Sequence, residues 1–162
     1  MSFDAIKFRQ ALGTFATGVT VVTARAPNDE LLGVTVSSFN SVSLDPPLVL
    51  FSLDRRASSV GAYEAASHFA VNVLDRSQIE LCEKFAQPLS DKWNGVAFED
   101  GAGRAPVLPG SLAVFECRAW ATYDGGDHVI FVGEVVNLRA RHDGSPLLFH
   151  GGAYKSVSGL ES

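Results

Sequence analysis

A chain of 162 residues is long enough for one domain with a substantial core and leaves little room for a second. Hydrophobic residues make up 46% and charged residues 19%, a globular composition and not a disordered one. The formal net charge is −5 and there is no basic block, which argues against nucleic acid as a partner, because phosphate-backbone binding needs clustered Lys and Arg.

Phe3 to Phe15 reads as an amphipathic helix with Phe8, Leu12 and Phe15 on one face. The N-terminus has mixed charges and no apolar core of a signal peptide, and no apolar run is long enough for a membrane helix, so a cytoplasmic location is expected. From Val19 the texture turns to β. GVTVVTAR and LLGVTVSSF flank the turn-forming Pro27 to Glu30 and predict a hairpin, and PLVLFSL follows with Pro46-Pro47 at its start. ASSVGAYEAAS predicts a short helix capped by Ser58 or Ser59. HFAVNVL is a further strand, and SQIELCEKFA a helix with Ser77 and Glu80 at capping-box spacing. Gln87 to Gly110 is polar, Gly- and Pro-containing and aperiodic, the longest irregular segment.

SLAVFECRAWATYD and HVIFVGEVVNLRAR both run at period two and are linked by Gly125 to Asp127, which predicts two long antiparallel strands. Long strands with short helices in a small domain suggest a coiled or closed sheet, since closure removes exposed edges. Cys82 and Cys117 read as small buried fillers and not as a disulfide. The four histidines show no ligand spacing, so no metal site is expected.

Neither G-x-G-x-x-G after a strand nor a P-loop nor a nucleophile elbow is present. Four features carry the remaining chemistry. Thr35, Val36, Ser37 and Ser38 offer small hydroxyls and unhindered backbone N–H groups to a planar, acceptor-rich ring, or else form a hydrophilic edge strand. Ser52, Leu53, Asp54, Arg55 and Arg56, followed by Ser58 and Ser59, combine guanidinium groups with hydroxyls at a strand-to-helix turn, which suits a phosphate or a plain solvated turn. His128 stands at a Gly-flanked turn from which it can reach over a neighbouring pocket, and Tyr154 follows two glycines near the end, placed to stack on a ring or to cover a barrel mouth.

F-x-x-A-L-G-T-F-A-T-G-V-T-V-V-T, then T-V-S-S-F-N-S-V-S-L-D-P-P-L-V-L-F-S-L, F-A-V-N-V-L, G-D-H-x-I-F-V-G-E-V and G-G-x-Y run in order from Phe8 to Tyr154. Together these blocks resemble the flavin-reductase-like domain family, most closely the small reductase components of two-component flavin-dependent monooxygenases. The resemblance implies a mainly β fold, a split β-barrel of flavin-binding type (antiparallel, Greek-key) with short flanking helices, spanning residues 1–162 as one domain. It implies an NAD(P)H:flavin oxidoreductase using FMN or FAD with NADH (NADPH being the other option), working as a homodimer and supplying reduced flavin to a separate oxygenase. By the same resemblance Thr35 to Ser38 contact the flavin ring, and Ser52 to Arg55 with Ser58 and Ser59 hold its ribityl chain and phosphate. Lys84 and Phe85 close over it, and His128 and Tyr154 stand near the nicotinamide. His128 enters as an orienting or electrostatic residue and not as an acid. Trp93 departs from the Phe common in that family, without an assigned role. A nicotinamide-independent flavin electron carrier of the same fold and a non-redox nucleotide-binding barrel are the competing readings.

Overall fold

A computed structural model describes residues 4–88 and 91–160. In chain order these form α1 (Ala5–Gly13), β1 (Thr17–Gly18), β2 (Thr20–Arg25), β3 (Leu31–Val36), β4 (Asn40–Leu44), β5 (Pro47–Asp54), α2 (Val60–Ala65) and β6 (His68–Val73). Next come a 3₁₀ turn (Arg76–Gln78) running into α3 (Ile79–Ala86), β7 (Glu99–Asp100), a second 3₁₀ turn (Ala102–Arg104) and β8 (Pro106–Val107). The long strands β9 (Ala113–Gly125) and β10 (His128–Ala140) follow, then β11 (Leu148–His150) and β12 (Ala153–Lys155).

Seven strands form one antiparallel sheet in the order β3-β2-β6-β9-β10-β5-β4. β3 and β4 are its two ends, yet only residues 37–39 connect them. A flat seven-stranded sheet is about 29 Å wide at about 4.8 Å per step. A three-residue linker spans at most about 14 Å. The sheet therefore has to curl until its ends almost meet. At that seam the Ser38 hydroxyl stands in for a strand ladder: it accepts from Ser52 N at 2.9 Å and donates to Ser52 O at 3.1 Å. This is the expected split barrel, mainly β with short helices outside.

The curled sheet encloses Phe51, Phe69, Phe131 and Tyr63 with Val22, Ala24 and Leu53. The rings of Phe51 and Phe131 stack at 4.9 Å, and Phe69 meets Phe51 edge-on at 5.1 Å. Burial raises the Tyr63 phenol far above its usual range, and its O–H donates to Val22 O at 2.8 Å. β2 is buried almost throughout because both of its faces are covered. Val22 and Ala24 point into the barrel, while Val19 and Val21 meet Cys82 and Phe85 of α3 outside it.

Several local expectations are corrected. The amphipathic helix runs over Ala5–Gly13, short of Phe15, its predicted first residue Phe3 lies outside the described residues, and none of α1 is buried: Leu12 stands 58% exposed, and Phe15 beyond the helix 75%. Ser59 is the N-cap residue of α2, but its side chain makes no capping bond, because its own backbone is already helical. The capping box before α3 is made by Asp75 and Gln78 at the 3₁₀ turn, and not by Ser77 and Glu80. Strict alternation fails in β9: Val114, Glu116 and Cys117 are all buried, because β-bulges shift the register against β10. Glu116 is held there by Ala102 N (2.7 Å), Asn137 Nδ2 (2.8 Å) and Arg139 Nε (3.0 Å). The irregular segment 87–110 does contain β7 and β8; its positions 89 and 90 lie outside the described residues. Both cysteines are free and buried, and no cluster of metal-ligating side chains occurs among the described residues.

Asp75 ties distant segments together. It accepts from Ser77 N (2.9 Å), Ser77 Oγ (2.8 Å), Ser145 N (3.1 Å) and Arg141 Nη2 (3.1 Å). The Ser77 bonds, with help from Ser145 and Arg141, hold its carboxyl down at about 2. A folded-state value below the unfolded one, about 3.9, stabilises the fold above the unfolded value, and that contribution is lost as pH falls toward 2. Urea midpoints measured from pH 5 down to pH 2.5 are expected to fall more steeply in the wild type than in Asp75→Asn. Parallel profiles would refute the assignment.

Candidate functional site

The seam between β3 and β5 is where the polar clusters meet. β10 pairs with β5 so that His128 stands opposite Asp54, Val129 opposite Leu53 and Ile130 opposite Ser52. β3 approaches from the other side. The result is a cavity of about 330 Å³ lined by Val34, Thr35, Val36, Ser37, Ser38, Ser52, Leu53, Asp54, Ala57 and His128. Two sequence clusters and the turn histidine, far apart in the chain, thus share one wall.

A second cavity of about 350 Å³ continues along the same strand. It is lined by Glu30, Leu31, Leu32, Gly33, Ser58, Ser59, Pro88, Lys92 and Trp93. Consecutive residues of β3, and consecutive residues past the end of β5, pass from one cavity into the other, so the two form a groove along the seam. Ser58 and Ser59 therefore lie further along this groove than Thr35 to Ser38.

The charges at the turn after β5 are already engaged. Arg55 donates to Gly126 O at 2.8 Å and pairs with Asp124, pinning the β9–β10 turn; its backbone N–H also reaches Asp127 O at 2.9 Å. Arg56 pairs with Asp54 through Nη2 at 2.7 Å and Nε at 3.0 Å, and these bonds hold the Asp54 carboxyl far below the usual carboxylate range. His128 Nδ1 lies 2.7 Å from Asp127 Oδ1. A carboxylate only accepts, so Nδ1 is the protonated nitrogen and Nε2 is the one left for a ligand.

A third, smaller cavity of about 140 Å³ shares Thr35, Val36 and Ser37 with the one that His128 lines, and Tyr154 lines it together with those residues, Val19 and Phe149. Its ring meets Phe149 at 5.6 Å, and hydrogen bonding to Cys82, aided by burial, pushes its phenol up to about 12. Thr35 Oγ1 donates to Cys82 O at 2.7 Å, which fastens β3 to α3 at a residue that lines both cavities. Phe85 is fully buried in the core below Gly33, and Lys84 is bound to Asn94 O; neither lines a cavity described above.

Sequence reasoning did not find Lys92. Its Nζ donates to Phe85 O at 3.0 Å and Gly33 O at 3.2 Å, and burial lowers its proton affinity. A single lysine in an aperiodic loop leaves no signal of its own; only the folding of that loop onto β3 brings it to the groove. Trp93, beside it, packs edge-on against Phe85 at 4.9 Å and Phe98 at 5.3 Å.

The groove can take a ligand with a planar acceptor-rich ring at the Thr35–Ser38 end and an anionic tail toward Ser58, Ser59 and Lys92, and flavin nucleotides have that form. Comparison with known proteins agrees. The chain is 52% identical to the FMN reductase (NADH) SmoA of Agrobacterium fabrum over 157 residues, covering 93% of this chain and 85% of that protein. It is 36% identical to the flavin-dependent monooxygenase reductase subunit HsaB of Rhodococcus jostii, covering 96% and 80% respectively. The fold matches the Streptomyces globisporus NADH:FAD oxidoreductase SgcE6, solved with NAD and FAD fragments, at a TM-score of 0.90 and 37% identity, over 96% of this chain and 93% of that one. Residues 12–158 match the model of the flavin reductase like domain, and the chain belongs to that family.

Proposed function

We propose that this chain is an NADH-dependent flavin reductase that binds FMN or FAD in the seam between β3 and β5 and hands reduced flavin to a separate oxygenase. The observation that carries the reading is the single cavity uniting Thr35 to Ser38, Ser52 to Asp54 and His128. The Rhodococcus relative is a monooxygenase reductase subunit, which supports the oxygenase partner.

When both are bound, the chemistry is hydride transfer from nicotinamide C4 to flavin N5, supplied by the two molecules themselves. The protein's part is to hold the two rings within reach. Ser38 locks the Ser52 backbone and so fixes the cavity wall. Small hydroxyls at Thr35, Ser37 and Ser38 leave backbone N–H groups unhindered. Asp127 orients the His128 ring with Nε2 free to accept from the N–H of the nicotinamide carboxamide. No side chain has to form a covalent bond or carry a proton during the hydride step. Tyr154 lines the neighbouring cavity that shares Thr35 to Ser37, and the Lys84–Phe85 segment braces β3 from α3.

The chain works as one domain, because β2 contributes to the core on both of its faces. Exposed Ile6 and Leu12 on α1 and Phe15 just after it, with Trp120, Val136 and Leu138 on β9 and β10, support a homodimer, which light scattering coupled to size exclusion measures. No helix of the described residues is long and apolar enough to cross a membrane, and two free buried cysteines fit the reducing cytoplasm.

Mixing the protein with NADH and free FMN or FAD tests the activity. Rapid flavin-dependent loss of the nicotinamide absorbance is expected, and its absence with both flavins would overturn the reading. His128→Ala is expected to raise the KM for NADH about three- to tenfold, the range of one neutral hydrogen bond, while flavin affinity changes less. Unchanged NADH kinetics would remove His128 from the nicotinamide side.

A further inference from the structure

We infer that Arg55 is a positioning residue for the nicotinamide side of the site: it holds the β9–β10 turn, and through that turn the His128 ring, and does not bind the flavin phosphate. The inference rests on the flavin reductase reading above and departs from the role that family resemblance gives this arginine. Arg55 lines neither cavity of the groove, whereas its neighbours Asp54 and Ala57 line the one and Ser58 and Ser59 the other. Its guanidinium is turned to the β9–β10 hairpin. Nε donates to Gly126 O at 2.8 Å and Nη2 pairs with Asp124, while the backbone N–H of Arg55 donates to Asp127 O at 2.9 Å. One residue thus grips Asp124, Gly126 and Asp127, immediately before His128 in the chain.

The turn needs such a brace. Gly126 and Asp127 alone join β9 to β10, and Gly126 adopts a left-handed φ of 75° beside a second glycine, Gly125. Glycines lose the most backbone entropy on ordering. No core supports the tip: a Cβ on Gly126 would meet open space, and the Asp124 and Asp127 side chains are largely exposed. Asp127 is also the residue whose carboxylate accepts from His128 Nδ1 at 2.7 Å. Fixing the Asp127 backbone therefore fixes the carboxylate that sets the imidazole. An exposed ion pair adds little to global stability, so loss of the guanidinium falls mainly on the turn. The effect has a ceiling. Arg55 cannot alter NADH binding by more than His128 contributes, nor by more than its own bonds to the turn are worth.

The test measures NADH kinetics and flavin affinity on the full chain, with thermal melts to confirm folding. Arg55→Met keeps the apolar stem and removes the guanidinium, and is expected to raise the KM for NADH about three- to tenfold. Binding of FMN and of riboflavin, followed by flavin fluorescence, should each shift by less than about twofold. Arg55→Lys keeps the charge toward Asp124 but loses the two-point fork, and should fall between wild type and Arg55→Met. Asp124→Asn acts from the exposed side of the pair, and should raise the same KM about two- to threefold even where Arg55→Met does not fold. The decisive comparison is a double variant. In a His128→Ala background, Arg55→Met should change the KM by less than about twofold, because the ring that it positions is gone. Losses that multiply would mean that Arg55 touches the dinucleotide itself. A loss for FMN that riboflavin does not share would return Arg55 to the phosphate. An unchanged KM in folded Arg55→Met would show that the turn holds His128 unaided. Each of these three results overturns the inference. Unchanged NADH kinetics in His128→Ala would overturn it as well, leaving the reductase reading intact. A wild type that does not oxidise NADH with either FMN or FAD defeats the reductase reading itself.

Discussion

Phe51→Ala is expected to cost about 4 kcal/mol, the upper part of the range for removing a buried aromatic ring. Phe51 is completely buried at the centre of β5, stacked on Phe131 and edge-on to Phe69 and Tyr63. Alanine leaves a cavity bounded by three rings that cannot collapse into it, because each is fixed by its own strand or helix. The loss combines transfer free energy, cavity and ring–ring contacts. Its consequence for the site is direct: Ser52, Leu53 and Asp54 follow Phe51 on the same strand. Equilibrium urea unfolding measures the change, with the midpoint falling at constant slope. Phe51→Leu keeps most of the volume and should cost much less. A loss below about 1 kcal/mol for the alanine variant would show that the barrel interior is not packed on Phe51.

Gly33→Ala is expected to destabilise by about 3 kcal/mol although it adds one methyl group. Gly33 sits in β3 opposite Thr23, and the reason for glycine there is space, not backbone angle. A Cβ would stand 2.5 Å from Phe85 Cδ1, nearer still to Cε1, and 3.3 Å from the Trp93 ring. Phe85 is fully buried and braced by Trp93, so its ring has nowhere to move without displacing α3 or β3. Either displacement also shifts Gly33 O, which holds Lys92, so phosphorylated flavins should bind more weakly along with the loss of stability. Pairing Gly33→Ala with Phe85→Leu removes the obstacle, and the double variant should recover more than half of the stability lost by Gly33→Ala alone. Simple additivity of the two losses would sink the steric explanation.

Much of the barrel was legible because its strands repeat at period two between unmistakable turns. Pro27 to Glu30 marked the first hairpin, and Gly125 to Asp127 the longest one. What local pattern misplaced has physical causes. Asp75 and Gln78 carry the same capping-box spacing as Ser77 and Glu80, but the box forms at Asp75 because Ser145 and Arg141, distant in sequence, hold its carboxylate there. Period-two alternation places Glu116 on the face of β9 opposite Phe115 and Cys117. It is buried because a bulge and the short β7–β8 segment cover that face and supply its donors. The apolar stripe of α1 was real as a pattern, yet it covers no core within the chain.

By itself the sequence determined a small antiparallel barrel, the absence of common nucleotide motifs, and ordered blocks that resemble flavin reductases. It also named most residues of the ring end of the groove, since Thr35 to Ser38 and Ser52 to Asp54 are contiguous runs whose chemistry shows locally. Only the tertiary structure decided which of them meet. The pairing of β10 with β5 brings His128 to the cavity, while Tyr154 lines a neighbouring one that shares Thr35, Val36 and Ser37 with it. Ion pairs with Asp124 and Asp54 engage the arginines that composition offers to a phosphate, and an aperiodic loop carries Lys92 to the groove. Charge availability depends on which partner lies within about 4 Å. That is set by packing between segments far apart in the chain, where local pattern carries no information.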